Sequence, residues 1–310
     1  MTGRAEYVPD IAGPHGLARP TPPASPFPSK GSSMTDTAIQ TLTRRRVLPV
    51  GENGSLWEAR PSCGIFEFRG MRLRLTVEDP TEVLFPTDCG LSLIAALSGD
   101  SAPDLEGVNA LDIGAGSGLY SVALLAGGAE RVTALDINPA SATQTTVNVM
   151  ANGLDATRLT CVTSPLEEYA PDERFDLVIT NPPHLPYDPS YARKDGLETA
   201  LVARRGGRAV YDSVVERMDM LLVPGGTLLM AHSSLADIPR TVNELTARGY
   251  GAETLAVFEM DIPLLAYAEH KETVLTLLKE RRAMGRAEFD GSRFTVHALM
   301  FRRPGNATGR

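Results

Sequence analysis

The chain has 310 residues, 22% of them charged and 43% hydrophobic, and its formal net charge at pH 7 is −8. This composition is ordinary for a soluble globular protein with one large domain and extensions. The acidic balance argues against a protein that wraps a long nucleic acid, but it does not exclude contact with a flipped base.

Membrane and metal-site signals are missing from the sequence. No apolar run approaches the ~18 residues that a membrane span needs, and the N-terminus lacks the apolar segment of a secretion signal. Cys63, Cys89 and Cys161 are odd in number and far apart, so they form neither a disulfide framework nor a metal-ligand spacing. We therefore expect a cytoplasmic protein that has no metal and no membrane contact.

The N-terminal third divides into two parts. Residues 1–40 are rich in proline, serine, glycine and threonine, so they cannot bury a core, and a disordered tail is predicted. Met34 lies near its end, which raises the hypothesis that translation begins there. Residues 41–105 are predicted to form an N-terminal extension of helix and β-hairpin. Apolar and polar residues alternate over 65–77 around Gly70, which is a hairpin signal, and a helix is expected over 90–97.

Residues 106–303 alternate strand and helix patterns. This order predicts an α/β domain with a doubly wound, mostly parallel sheet that binds ligands at the carboxyl ends of its strands. The alternation breaks at 263–293, where an extra helix is expected from Leu264 to about Arg282, either as a packed helix or as a lid or substrate-selecting element. Strands are predicted at 108–113, 131–136, 158–163, 175–180, 226–231, 253–260 and 294–302, with helices at 118–126, 139–151, 208–222 and 236–248.

A glycine-rich turn follows the first of these strands. Gly114, Gly116 and Gly118 permit backbone conformations that are closed to other residues, and they let a ligand approach the main chain. The spacing is G-x-G-x-G, not the G-x-G-x-x-G of a dinucleotide site, since position 119 is leucine. We predict a nucleoside-containing ligand here.

Two aspartates accompany this turn. Asp136 ends the second strand, where a carboxylate can hold two ribose hydroxyls. This role alone does not separate an NAD enzyme from an adenosyl enzyme. Asp112 lies inside the first strand, and a buried carboxylate there needs partners. Its partners are expected to be backbone N–H groups of the turn or a cationic group of the ligand.

The fourth strand ends at Asn181-Pro182-Pro183-His184. Two prolines stiffen the backbone and remove two N–H donors, which leaves an acceptor-rich corner. The Asn181 side-chain oxygen and a backbone carbonyl can together accept the two hydrogens of an –NH2 group. Asn-Pro is also a common start for a plain turn.

These segments together resemble a known family. Leu111–Gly118 and Ala134–Pro139 resemble motifs one and two of the class I S-adenosylmethionine methyltransferases. The Asn-Pro-Pro corner resembles that of the enzymes that methylate amide and amino nitrogens, namely the HemK family, the adenine N6 enzymes and the guanine N2 enzymes. The resemblance implies a seven-stranded, Rossmann-like sheet and S-adenosyl-L-methionine as cofactor.

Further stretches resemble the HemK-like branch. Residues 83–88 resemble the segment that closes over the cofactor, and Gly196–Ala200 and Gly207–Asp212 resemble stretches that follow the Asn-Pro-Pro motif. The resemblance implies that the catalytic residues are Asn181, Pro182, Pro183 and His184. It implies that the cofactor is held by Pro86, Thr87, Asp112, Gly114, Ala115, Gly116, Gly118, Asp136, Ile137, Ser164 and Asn181.

Three positions depart from the family pattern. His184 stands where a tyrosine or phenylalanine usually stacks on the substrate; the imidazole can stack, bind another acceptor, or leave the ring to Tyr187. Ser164 stands where an acid often contacts the adenine amine. The extra helix is not expected in a minimal release-factor enzyme.

The expected activity is N-methylation of a planar amide or amino nitrogen. A release-factor-like protein glutamine is the first expectation for the acceptor, because the match to HemK-like proteins is long. A small-molecule acceptor is the alternative, suggested by His184, the extra helix and the acidic charge. An RNA or DNA base is the third and least favoured acceptor. The Asn-Pro-Pro motif permits it, but the sequence shows no basic domain beside the core.

Overall fold

The computed structural model of the protein describes residues 47–49, 63–186, 202–262 and 271–305. The strands are β1 (Val47–Pro49), β2 (Cys63–Phe68), β3 (Met71–Thr76), β4 (Asn109–Ile113), β5 (Arg131–Asp136), β6 (Leu159–Thr163), β7 (Phe175–Thr180), β8 (Leu185–Pro186), β9 (Val202–Ala203), β10 (Leu222–Ser233), β11 (Gly251–Asp261) and β12 (Arg293–Arg302). The helices are α1 (Asp88–Leu97), α2 (Leu119–Ala126), α3 (Pro139–Ala151), α4 (Ala209–Leu221), α5 (Ile238–Ala247) and α6 (Lys271–Ala283). Short helical turns lie at Ala156–Arg158, Arg204–Gly207 and Ser234–Ala236.

The main sheet has the strand order β1-β11-β12-β10-β7-β4-β5-β6. Its pairs are parallel except at β12, which runs antiparallel to both β10 and β11. The predicted doubly wound, mostly parallel sheet of seven strands is confirmed. The three-residue β1, which pairs with β11, adds an eighth strand that the sequence pattern did not predict.

The strand order places a ligand crevice. From β4 the chain runs outward through β5 to β6 and then returns to β7 on the other side of β4. The loops that leave β4 and β7 therefore diverge, and a crevice opens at the carboxyl ends of these strands.

The core lies on both faces of the sheet because neighbouring strand residues point in opposite directions. In β4, Ala110 packs with the apolar cluster that contains the β2–β3 hairpin, α1 and α2, whereas Leu111 packs with the cluster under α4 and α5. Val274 and Leu278 of α6 are buried in the first cluster, so the described part of the extra helix is packed.

The predicted hairpin is confirmed, and amide side chains of α3 attach it to the domain. Asn148 accepts from the Thr76 N–H at 2.8 Å and donates to the Ser117 carbonyl at 2.7 Å. Gln144 donates to the Thr76 carbonyl at 2.7 Å, and Asn152 pairs with the backbone of β3 one step further along. One face of α3 thus satisfies an edge of the hairpin and ties it to the glycine-rich turn.

Several expectations fall outside the described residues: the tail over 1–40, Tyr187, Gly196–Ala200 and residues 264–270 of the extra helix. The domain boundaries stay a prediction. In the described part of the chain, every helix is too short or too polar to cross a bilayer.

Candidate active site

A pocket with a volume of about 250 Å³ lies in the predicted crevice. Its walls come from separate parts of the chain that the fold brings together. They are the segment before α1 (82–87), the glycine-rich turn (113–117), the end of β5 (135–138), the loop after β6 (164–167) and the corner after β7 (180–183).

The glycine-rich turn leaves its inner side open. Gly114 and Gly116 have φ values of +73° and +54°, a region that favours glycine. A Cβ at Gly114 would meet nothing within 4 Å, so the backbone there borders free space. The Gly114 and Ala115 N–H groups both donate to the Leu135 carbonyl, at 2.8 and 3.2 Å, which holds the turn against β5.

Gly118 has a different reason for lacking a side chain. Its φ is +82°, and a Cβ there would lie 2.8 Å from the Thr145 side chain and 2.9 Å from the Thr145 Cα. The close approach of α2 and α3 therefore requires glycine at this position.

Asp136 joins two of the pocket walls. Its Oδ2 accepts from the Gly116 N–H and its Oδ1 accepts from the Asn138 N–H, both at 2.8 Å. Burial raises the pKa of this carboxyl, and the backbone hydrogen bonds oppose that shift. Asn138 in turn donates to the Glu82 carbonyl at 2.7 Å, so the segment before α1 is tied to the same loop.

Asp112 is fully buried beneath the turn, and it is not among the pocket-lining residues. Its Oδ2 accepts from the Ser121 N–H at 3.0 Å and from the Ser121 hydroxyl at 2.7 Å. Its Oδ1 has no hydrogen-bond partner among the described residues, and burial raises the carboxyl pKa to about 7. Asp112 thus binds the first turn of α2 rather than the glycine turn.

Apolar side chains next to Asp136 and in the loop after β6 contribute to the pocket lining. Ile137 is 58% exposed although it lines the pocket, and Leu166 and Val210 line the same end. Such a surface suits a flat aromatic ring. Ser164 also lines this end, and its hydroxyl donates to the Pro165 carbonyl at 3.0 Å.

The corner after β7 forms the opposite end of the pocket. Asn181, Pro182 and Pro183 line it together with Pro86 and Thr87. The Asn181 Nδ2 lies 3.7 Å from where a Cβ on Gly90 would stand, so this nitrogen faces α1. Because Asn181 lines the pocket, the oxygen of the same amide is a candidate acceptor for a ligand.

His184 does not line the pocket. Its ring packs against Phe294 of β12 with a centroid distance of 5.6 Å and an interplanar angle of 42°. Burial lowers the pKa of His184 to about 4, against a smaller opposing effect of a hydrogen bond with the Pro182 backbone. Its Nε2 has no hydrogen-bond partner in the described part of the chain. A Cβ on Gly207 would lie 2.3 Å from the His184 carbonyl oxygen, so the turn before α4 packs closely against this corner and leaves no room for a side chain at position 207.

His232, at the end of β10, is a structural residue. It is fully buried, stacks on Tyr211 at a centroid distance of 4.1 Å and shares a 2.8 Å hydrogen bond with Thr241. Arg208 is buried beside it and forms an ion pair with Asp212 at 2.9 Å. This network supports α4 behind the pocket.

The structure brings together most of the residues expected to bind the cofactor: Pro86, Thr87, Gly114, Ala115, Gly116, Asp136, Ile137, Ser164 and Asn181. Gly118 lies behind them. Sequence reasoning missed Gly90, Tyr120, Glu167 and Val210, which also line the pocket. Val210 lies within the family-like stretch Gly207–Asp212, but no pattern in the sequence marks any of the four as a pocket residue, because each reaches the pocket through the packing of helices and loops. No group of three or more potential metal ligands occurs in the described part of the chain.

Comparison with known protein families supports this assignment of the segments. The family model described as ribosomal protein L11 methyltransferase (PrmA) matches residues 89–182. The matched range contains the glycine-rich turn and Asp136 and ends inside the Asn-Pro-Pro corner.

The curated relatives are methyltransferases. A protein of Methanocaldococcus jannaschii, described as a proposed protein N5-glutamine methyltransferase, is 28% identical over 192 residues, which are 62% of this chain and 91% of that protein. Methyltransferase HEMK2 of Homo sapiens is 30% identical over 151 residues, 47% of this chain and 69% of HEMK2. The tRNA1(Val) (adenine(37)-N6)-methyltransferase of Pedobacter heparinus is 30% identical over 139 residues, 43% of this chain and about half (54%) of that enzyme.

Solved structures share the fold. A chain described as a proposed SAM-dependent methyltransferase from Streptococcus mutans superposes with a TM-score of 0.51 at 13% identity, covering 78% of this chain and 56% of that one.

Proposed function

The chain belongs to the HemK-like family of class I S-adenosylmethionine-dependent methyltransferases, and from this premise we propose that it methylates the side-chain amide nitrogen of a glutamine in a protein. The observation that carries the proposal is the position of the Asn181–Pro183 corner, which lines one end of the cofactor pocket. The long match to the archaeal relative, over 91% of that protein, supports the same reading.

The pocket fits the cofactor. Open space beside Gly114 lets the ligand approach the backbone closely. The Asp136 carboxylate can accept from the ribose, and the apolar side chain of Ile137 offers a face for the adenine ring. When bound, S-adenosylmethionine supplies a methyl group on a positively charged sulfur.

The corner is suited to a nitrogen acceptor. An amide –NH2 is a weak nucleophile, and transfer makes its nitrogen more positive. The Asn181 side-chain oxygen and the Pro182 carbonyl accept its two N–H groups, which orients the nitrogen and stabilises the developing charge. No strong base is required before transfer, because the proton can leave the nitrogen afterwards.

The low pKa of His184 agrees with this scheme. A histidine with a pKa of about 4 is neutral at physiological pH, and this one is not among the residues that line the pocket. His184 therefore serves as a packing residue of the corner, not as a base.

The three free cysteines support a reducing compartment, and we place the protein in the cytoplasm.

The test is methyl transfer from radiolabelled S-adenosylmethionine to a glutamine-containing fragment of a translational release factor. A matched fragment with asparagine in place of the glutamine is the control. We expect label in the glutamine fragment, removed by Asn181→Ala, and none in the control. Equal labelling of both fragments would contradict a glutamine-specific site.

An adenine amine is the second candidate, favoured by the match to the tRNA adenine-N6 enzyme. It presents the same planar –NH2 to the corner. The same assay with total tRNA separates the two candidates, since label in tRNA and none in the glutamine fragment would replace the proposal. Label found only in a small-molecule fraction of a lysate would replace both.

A further inference from the structure

Two pocket residues that lie on helices, Gly90 of α1 and Tyr120 of α2, have so far no role. The Tyr120 hydroxyl oxygen and the Asn181 Nδ2 border the same point on α1, since they lie 3.6 and 3.7 Å from the position that a Cβ on Gly90 would take. We propose that Tyr120 is a positioning residue for methyl transfer: its hydroxyl, beside the bare backbone of Gly90, keeps the Asn181 amide nitrogen against α1 and the amide oxygen toward the acceptor. This inference rests on the role proposed above for Asn181.

Gly90 lacks a side chain although its backbone conformation does not require this. It lies in the first turn of α1 and its φ is not positive. Glycine in a helix costs about 0.5–1 kcal/mol relative to alanine. A Cβ here would approach the Leu119 Cδ2, the end of a flexible side chain, to 3.2 Å, and would meet the two polar atoms at ordinary contact distances. The space that glycine leaves open therefore lies beside the Tyr120 hydroxyl and the Asn181 amide.

The Tyr120 hydroxyl is fixed as a donor to α1. Tyr120 is 4% exposed, and its hydroxyl donates to the Gly90 carbonyl at 3.1 Å. Burial raises the pKa of Tyr120 well above its ordinary value, so the hydroxyl keeps its proton throughout the physiological range. Because a hydroxyl has a single proton, and this one is committed to Gly90, the oxygen can act toward Asn181 only as an acceptor. An acceptor at this place favours the amide nitrogen over the amide oxygen.

The orientation of the amide decides what Asn181 can do. The two ends of an asparagine amide have nearly the same shape, so hydrogen bonding and electrostatics choose between its two orientations. With the nitrogen against α1, the oxygen can accept from the –NH2 of the methyl acceptor. In the reverse orientation two –NH2 groups would face each other, and both would be donors. Tyr120 thus acts on the transfer through Asn181.

Nuclear magnetic resonance of the full chain tests the proposal without any methyl acceptor. The side-chain –NH2 signals of Asn181 are assigned as the pair that is missing from Asn181→Ala. In Tyr120→Phe, which keeps the ring and removes the hydroxyl, these signals should shift, and their exchange with water should become at least about threefold faster. Tyr211→Phe is the matched control, because Tyr211 is buried, donates to the Ala231 carbonyl at 3.2 Å and does not line the pocket. It should leave the Asn181 signals unchanged.

Kinetics separate positioning from packing. With the acceptor that takes up label in the methyl-transfer assay, Tyr120→Phe should lower kcat by about three- to tenfold, whereas Tyr211→Phe should leave it unchanged. The affinity of Tyr120→Phe for S-adenosylhomocysteine should stay at the wild-type value. In an Asn181→Ala background, Tyr120→Phe should have no further effect on kcat, because the two side chains act as one unit.

Several results would overturn the proposal: Asn181 signals that are unchanged in Tyr120→Phe, equal changes in Tyr120→Phe and Tyr211→Phe, or losses of kcat that add in the double variant. A loss of S-adenosylhomocysteine affinity equal to the loss of kcat would make Tyr120 a cofactor contact instead. If no acceptor takes up label, the proposed function is refuted, and the amide signals still decide the role of Tyr120. A melting curve of each variant confirms that folded protein is measured.

Discussion

The two ends of the pocket are built in different ways. At the cofactor end, the Asp136 carboxylate accepts hydrogen bonds from two backbone N–H groups, and the Gly114 N–H donates to the Leu135 carbonyl of the neighbouring strand. At the acceptor end, Asn181 faces α1, and His184 packs on Phe294, which is 110 positions further along the chain. The first end is therefore fixed mainly by hydrogen bonds between the loops of the neighbouring strands β4 and β5, and the second depends on packing between segments that are more distant along the chain.

From this difference we expect binding and turnover to respond to different substitutions. Changes at the cofactor end should appear in ligand affinity and in stability, whereas changes at the acceptor end should appear in the rate of transfer. Each variant below tests whether the two ends can be altered independently.

The largest effect is expected for Asn181→Ala. Loss of the amide removes one acceptor for the substrate –NH2, and methyl transfer should fall by at least tenfold and by up to about 10³-fold. The affinity for S-adenosylhomocysteine, measured by calorimetry, should change little. If affinity and turnover fall together, Asn181 is a cofactor ligand and the two ends are not separate.

Gly118→Ala should come next, as a loss of stability. Its Cβ would overlap the Thr145 backbone at 2.9 Å and its φ is +82°, so the free energy of unfolding should fall by roughly 2–4 kcal/mol in urea titrations. Gly114→Ala is the matched variant, with a similar φ of +73° and open space around the new Cβ. It should lose only about 1 kcal/mol. Equal losses would mean that the contact with Thr145 carries no weight.

Asp136→Ala should weaken cofactor binding by about tenfold or more, because the ribose acceptor is lost and the Gly116 and Asn138 N–H groups lose their partner. Calorimetry with S-adenosylhomocysteine measures this. Asp155→Ala is the control. It removes a similar turn carboxylate that lies outside the pocket and accepts from the Thr157 N–H at a distance of 2.9 Å, and this variant should bind S-adenosylhomocysteine with the wild-type affinity. Unchanged affinity in Asp136→Ala would refute the ribose assignment.

The same contrast explains what could be predicted from the sequence. The strands, most helices and the glycine turn follow from local patterns, and β5, β7 and α3 match their predicted ranges residue for residue. The crevice was predictable too, because parallel topology places it at the strand ends.

The parts that escaped prediction depend on long-range packing. Asp112 was expected to bind backbone N–H groups of the glycine turn or a ligand. Its Oδ2 accepts from Ser121 of α2 instead of from the turn, because the packing of α2 decides which N–H it meets, and its role toward a ligand stays a prediction. The pairing of β1 with β11 and the approach of Glu167 to the pocket have no periodic or motif signal of their own. The orientation of the His184 side chain likewise depends on its packing against Phe294 of β12, which lies far along the chain.

The smallest effect is expected for His184→Phe. The ring packs on Phe294 and carries no charge at physiological pH, so transfer at pH 7.5 should change by less than about threefold. The pKa of His184 in the folded protein is about 4, below its ordinary value, so the unfolded chain binds more protons between these two values. The wild type should therefore lose stability as pH falls from about 6.5 toward 4, and His184→Phe should lose less over that window in urea titrations. The contrary result is a pH–rate profile with an inflection near neutrality that disappears in His184→Phe. It would make this histidine a base in the methyl transfer, a role that its packing on Phe294 does not predict.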